Sequence, residues 1–120
     1  MNLSNQPRID SLKNRNEIKD LLDHGQKVFT KYGIIFLSNN DSITDHKSAI
    51  LIKKKCGNAV KRNLIKRRVR SFIRDHADML KKYNRSLFLY LFQGNMNYKE
   101  LKTVYLNALN KYEKSVSSVN

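Results

Sequence analysis

The sequence predicts an α+β fold with elements in the order α-β-β-α-β-α and a further short strand near Val28. Three observations lead there. Apolar runs of strand length stand at Val28–Leu37, Lys47–Lys53 and Leu87–Phe92. Three other stretches repeat their apolar residues at helical spacing. One of those helical stretches lies between two strand runs, so a crossover connection is expected.

Taken in order, Met1–Ile9 is polar and reads as a loose tail in which Arg8 is a candidate anion contact. Over Ser11–His24 the residues Leu12, Ile18, Leu21 and Leu22 predict a short amphipathic helix, closed by Gly25. Val28–Leu37 reads as one strand bent near Gly33, with Ile35 and Leu37 on one face and Ile34 and Phe36 on the other. The Asx-rich stretch SNNDSITD reverses the chain. Lys47–Lys53 then pairs with the first strand as a hairpin. A long helix is predicted from about Asn58 to Lys82, with Ile65, Val69, Phe72 and Ile73 forming its apolar stripe. Asn84–Arg85 breaks that pattern. Leu87–Phe92 is apolar at every position, which suits a strand covered on both faces or one with a parallel neighbour. After a turn at Gln93–Asn97, the residues Leu101, Val104, Tyr105, Ala108, Leu109 and Tyr112 predict a last helix over Tyr98–Tyr112. Lys114–Asn120 reads as a polar tail. The whole is one domain, residues 1–120, with loose ends at 1–9 and 114–120.

Composition narrows the function. No apolar run reaches the length of a membrane span, and no apolar segment marks a secretory signal near Met1. One cysteine, Cys56, excludes an internal disulfide and reads as a small core residue in a protein of the reducing cytoplasm. The charge is more telling. Lys53–Arg74 holds ten of the 24 Lys and Arg residues and no acid, so most of the net charge of +14 sits in one segment. Charge this concentrated calls for a polyanion opposite it. Asn63, Arg67, Arg70 and Arg74 fall on one side of the predicted helix, and Arg62, Lys66 and Arg70 form the adjoining ridge. Like charges four residues apart destabilise a helix by a few tenths of a kcal/mol per pair, so local stability does not account for them. A merely solvated face would carry interspersed acids.

The run Lys54-Lys55-Cys56-Gly57-Asn58-Ala59-Val60-Lys61-Arg62-Asn63-Leu64-Ile65-Lys66-Arg67-Arg68-Val69-Arg70 resembles the signature of the bacterial ribonuclease P protein subunit, K-K-hydrophobic-G-x-A-V-x-R-N-x-I-K-R-x-hydrophobic-R. The likeness extends over roughly residues 8–115. It departs at Lys53, where the family has a small residue, and at Leu64, where it has a basic one. The resemblance implies an α/β sandwich of about four strands with three helices packed on the sheet, and a left-handed crossover. It implies a ribonucleoprotein that removes the 5′ leader of precursor tRNA. The RNA subunit carries the active site and Mg²⁺, and the protein has no cofactor of its own. The expected partners are that RNA subunit and precursor tRNA. No membrane and no protein partner is indicated. The candidate RNA-binding residues are Lys53, Lys54, Lys55, Asn58, Lys61, Arg62, Asn63, Lys66, Arg67, Arg68, Arg70 and Arg74. The resemblance also places Ile18 and Leu22 where the family has aromatics lining a leader cleft. Phe36 joins them as a cleft candidate, with a plain core role as the alternative for all three.

A protein-built active site is not legible. His24, His46 and His76 lack metal-ligand spacing, with His76 reading as a helix-packing residue. Gly57 stands alone rather than in a phosphate loop. The acids form no visible two-metal cluster. A basic protein of another ribonucleoprotein, such as a ribosomal protein, is the alternative reading. A DNA-binding module would want a second docking helix or a dimer seam, and a free-standing nuclease would want a catalytic constellation.

Overall fold

The computed structural model describes residues 9–40 and 42–118, and of 116–118 the backbone alone. Arg8 and the rest of the expected N-terminal tail, apart from Ile9, lie outside the described residues. So do residues 119–120.

The described elements are β1 (Asp10–Ser11), α1 (Arg15–His24), β2 (Gln26–Phe29), β3 (Gly33–Ser38), β4 (Lys47–Ile52), α2 (Ala59–Asp75), α3 (Ala77–Leu80), β5 (Arg85–Tyr90) and α4 (Tyr98–Ser118). A turn of 3₁₀ helix, Lys54–Cys56, stands between β4 and α2. The five strands form one sheet in the order β1-β4-β5-β3-β2. The α+β class holds. The strand count exceeds the expected four because of the two-residue β1, and the fourth helix is the single turn α3.

Strand pairing is where the sequence reading needs correction. Val28–Leu37 is not one bent strand: the further short strand expected near Val28 is β2, and it forms an antiparallel hairpin with β3 in which Val28 faces Ile35. Its turn is tied by Thr30, whose hydroxyl donates to Gly33 O (2.9 Å) and accepts from the Gly33 amide (3.0 Å). A Cβ on Gly33 would stand 2.0 Å from Leu89 O, so only glycine lets β3 lie this close to β5. The expected hairpin between Lys47–Lys53 and the first strand does not form. β5 lies between them, antiparallel to β3 and parallel to β4. The chain thus leaves β4, runs through α2 and returns to β5 as a parallel crossover. The central place of β5 is what its unbroken apolar run required.

The two faces of β3 divide as its alternation predicts. Ile35 and Leu37 join Phe88, Tyr90, the α2 stripe Ile65, Val69, Phe72 and Ile73, and Leu101, Tyr105 and Leu109 of α4. On the other face Phe36, Ala49 and Leu87 pack with Leu12 and with Leu21 of α1. The layers are therefore α2 and α4, the sheet, and α1. Full burial of each large side chain contributes about 1.5–3 kcal/mol. Cys56 is buried, as its position implied.

Three helix boundaries move. α1 begins at Arg15 behind an Asn14 cap, whose side chain accepts from the Glu17 amide at 3.1 Å, because Ser11 belongs to β1. The long helix is broken at His76, which ends α2 with its amide on Phe72 O. Beyond the break Ala77 and Leu80 are both buried. α4 continues to Ser118, through part of the stretch expected as a tail.

Candidate nucleic-acid interface

The basic segment is held by local chemistry before any partner is considered. Gly57 has φ 149°, a conformation that disfavours any side chain. A Cβ there would also strike the Lys61 stem at 2.5 Å. Asn58 follows as the N-cap, its Oδ1 accepting from the Lys61 amide at 2.9 Å. The apolar stripe Ile65, Val69, Phe72 and Ile73 then fixes the rotation of α2 on the sheet, so its remaining faces are set.

Those faces sort the candidate cations into two groups. Three are engaged by the protein itself. Arg62 donates from Nε to Gly57 O at 3.1 Å, closing the turn that launches the helix. Lys61 donates to Gly94 O at 3.3 Å. Arg68 stands over the Tyr98 ring at 5.2 Å and ties α2 to α4. The others are turned outward. Lys53, Lys54, Lys55, Arg67, Arg70 and Arg74 are exposed, as is the uncharged Asn63, and Lys66 is half-buried beside them. The ridge Arg62–Lys66–Arg70 is therefore not uniform, since its first member points back into the fold. No helical-wheel argument shows this, because the Arg62 partner is the backbone of a preceding turn.

Electrostatic pairing separates this segment from the rest of the surface. Among the described residues, the ion pairs join His24 to Asp20, Lys31 to Glu100, Lys47 and Arg85 to Asp45, Lys81 to Asp78, Lys82 to Glu113 and Arg85 to Glu17. None of the ten cations of Lys53–Arg74 takes part.

Lys66, Arg70 and Arg74 also line a groove of about 570 Å³ at the β4 edge of the sheet. It passes from those cations over Ser48, Ile50 and Leu51 to Lys13 and Ile18. β1 covers β4 only at Lys47 and Ser48, which leaves the rest of this edge to the groove.

Beyond the groove lies the face beneath α1. Ile18 and Leu22 are half-buried on α1, against the cluster that holds Phe36. Phe36 is 4 % exposed, so of its two candidate roles it takes the core one. The open part of this face is a row across three strands, Ile34, Leu89 and Leu51, joined by the register of β3, β5 and β4. All three are half-exposed. Phe29, opposite Ile34 on β2, extends the row and is 72 % exposed. Sequence reasoning missed Phe29 because it placed a short strand near Val28 without pairing it to the strand after Gly33. Its available signal was an aromatic between Lys27 and Lys31.

Arg85 of β5, whose side chain is 11 % exposed, ties α1 to the sheet. Its guanidinium donates to Glu17 on α1 at 3.3 Å and to Asp45 at 3.0 Å. That hydrogen bond holds the Asp45 carboxyl below its ordinary range. Asn84 alongside is buried, donating to Ile43 O (2.8 Å) and accepting from the Asn40 amide (2.6 Å). Among the described residues no three His, Cys, Asp or Glu side chains gather to hold a metal.

A cationic helix whose one acid is its last residue, Asp75, seated on a sheet beside a groove and a half-open apolar face, defines a small basic protein of the polyanion-binding class. Comparison with known proteins specifies it. The family model for ribonuclease P matches residues 7–113. The ribonuclease P protein component of Syntrophus aciditrophicus is 38% identical over 74 residues, an alignment covering 62% of this chain and 61% of that protein. That of Citrifermentans bemidjiense is 36% identical over 89 residues, covering 74% of this chain and 69% of the other. The Staphylococcus aureus RNase P protein superposes with a TM-score of 0.76 at 21% identity, over 88% of this chain and 96% of that one, a likeness of fold. The chain belongs to the ribonuclease P protein family.

Proposed function

We propose that the chain is the protein subunit of ribonuclease P, binding the catalytic RNA subunit and assisting endonucleolytic removal of the 5′ leader from precursor tRNA in the cytoplasm. The observation that carries this reading is the set of ten cations with no acid partner on and before α2, in a chain of this family. In this reading Arg67, Arg70 and Arg74 fork onto phosphates of the RNA subunit. Lys53, Lys54 and Lys55 extend the patch, and Asn63 orients the backbone by donating and accepting. Two polyanions, RNA subunit and substrate, must approach closely, and the cationic protein lowers the repulsion between them. Hydrolysis and its Mg²⁺ belong to the RNA subunit. The leader runs from Lys66 and Arg70 along the groove to Ile18, Leu22 and the Ile34–Leu89–Leu51 row. Phe29, rather than Phe36, supplies the aromatic face on which a base stacks.

No helix of the described chain is long and apolar enough to cross a membrane. The alternative, a basic protein of another ribonucleoprotein, predicts the same charge but not the ordered motif. The test combines binding and cleavage. With the RNA subunit and Mg²⁺ present, adding the chain should raise precursor tRNA cleavage at physiological salt. RNA affinity should fall with salt at a log–log slope of roughly −0.7 to −0.9 per neutralised phosphate. Flat binding from low to moderate salt, or cleavage by RNA-free protein after rigorous nuclease removal, overturns the reading.

A further inference from the structure

Three large apolar side chains among the described residues are exposed: Phe29 (72 %), Val60 (79 %) and Leu64 (39 %). Two of the three stand on α2. Val60 and Leu64 are four residues apart, one turn along the helix and on the side away from the buried stripe. A lysine or arginine at either place would improve solubility and add to the phosphate-binding charge. The helix instead presents two aliphatic side chains to water inside its most cationic region. Leu64 borders a shallow concavity of about 440 Å³ whose other walls are Arg67, Arg68, Arg70, Ser71 and Arg74. Aliphatic side chains beside guanidinium groups do not suit a duplex backbone, which offers only phosphate and sugar. It suits a nucleotide whose base has left the stack, with the base against the aliphatic carbons and its phosphates on the flanking arginines. A protein partner would have to bring acids to several unpaired arginines as well as an apolar anchor. An RNA strand brings a phosphate with every base.

We propose that Val60 and Leu64 seat an unpaired nucleobase of the RNA subunit, giving the α2 interface a component that salt does not screen. This rests on the reading of the chain as the ribonuclease P protein subunit. Apolar burial and phosphate neutralisation differ in their salt dependence, and that difference is the test. The Val60→Ser, Leu64→Ala double variant should lose about ten-fold in affinity for the RNA subunit. It should keep the wild-type slope of log affinity against log salt, and its melting should be unchanged because both side chains are exposed. Arg67→Ala should instead flatten that slope by about one phosphate. A photo-crosslinking amino acid at position 64 should join an unpaired nucleotide of the RNA subunit in the assembled holoenzyme. Wild-type affinity in the double variant, or a crosslink to protein or to a duplex segment, overturns the proposal and leaves the reading of the subunit intact. Absence of RNA-subunit binding by the wild-type chain overturns both.

Discussion

Tyr90 shows what a single residue conceals from its sequence neighbourhood. It belongs to an apolar strand, and the pattern rightly buries it, with its ring near Tyr32 and Phe88. Its hydroxyl, however, is buried without a hydrogen-bond partner. Burial pushes its pKa up to about 12. An unpaired buried hydroxyl carries a desolvation cost of about 1–3 kcal/mol, so Tyr90→Phe should raise unfolding free energy by about 1 kcal/mol in urea titrations. The pH dependence has a definite sign. A phenol whose pKa is raised on folding contributes stability that is complete below its unfolded value of 10 and is lost as pH rises through the folded value. Tyr90→Phe should therefore also flatten the alkaline limb of the melting curve between about pH 10 and 12. At this scale the sequence was legible wherever one local force decides the outcome. Cys56 is buried and Gly25 closes α1 as expected. The role of Phe36 was open because core and cleft use the same face of the strand.

At the scale of elements, alternation and helical spacing located most of the secondary structure but not its partners. The hairpin was assigned to the wrong pair of strands because two adjacent apolar runs carry no information about a third that inserts between them. The break at His76 was invisible for another reason. The buried positions Ile73, Ala77 and Leu80 keep helical spacing across it, and no glycine or proline marks it. What joins distant elements is also beyond local pattern. Glu100, in the first turn of α4, accepts from the buried Tyr32 hydroxyl at 2.7 Å and pairs with Lys31, tying α4 to the β2–β3 turn. The hydrogen bond from Lys31, then that from Tyr32, holds the Glu100 carboxyl below its ordinary range. A carboxylate depressed on folding stabilises above its unfolded pKa, and that contribution fades as pH falls through the folded value. Glu100→Gln should thus lower the melting temperature at neutral pH and lose less than wild type on acidification below pH ~4. An acid limb identical to wild type would show that the pair does not couple α4 to the sheet.

Across the whole molecule, the division of charge was the most legible feature, because it is a property of sequence that folding only has to display. Which cations are free was not legible. Arg62, Lys61 and Arg68 are engaged by Gly57, Gly94 and Tyr98, residues whose proximity depends on the turn and on α4. Two variants separate the groups. Arg67→Ala with Arg70→Ala should weaken assembly with the RNA subunit by about 1.5–3 kcal/mol for each charge-assisted hydrogen bond to phosphate that is removed. It should leave melting of the free protein unchanged, or raise it by relieving repulsion. Arg62→Ala should lower the melting temperature of the free protein, because the Gly57 carbonyl is deprived of its donor. A melting drop in the double variant with normal RNA affinity would place the binding ridge on the wrong side of α2.

The connection from β4 through α2 to β5 makes the cationic helix the covalent link between two paired central strands. Melting α2 would uncover the sheet face that its buried stripe covers together with α4. Opening of the helix is therefore expected to open the molecule with it. The mutual repulsion of ten cations without an acid partner is therefore expected to lower the global stability of the free chain rather than fray one segment. A polyanion that binds only the folded helix raises that global stability by mass action, in proportion to the logarithm of its concentration over its dissociation constant. Amide hydrogen exchange in the sheet then becomes a measure of whether RNA is bound to the helix.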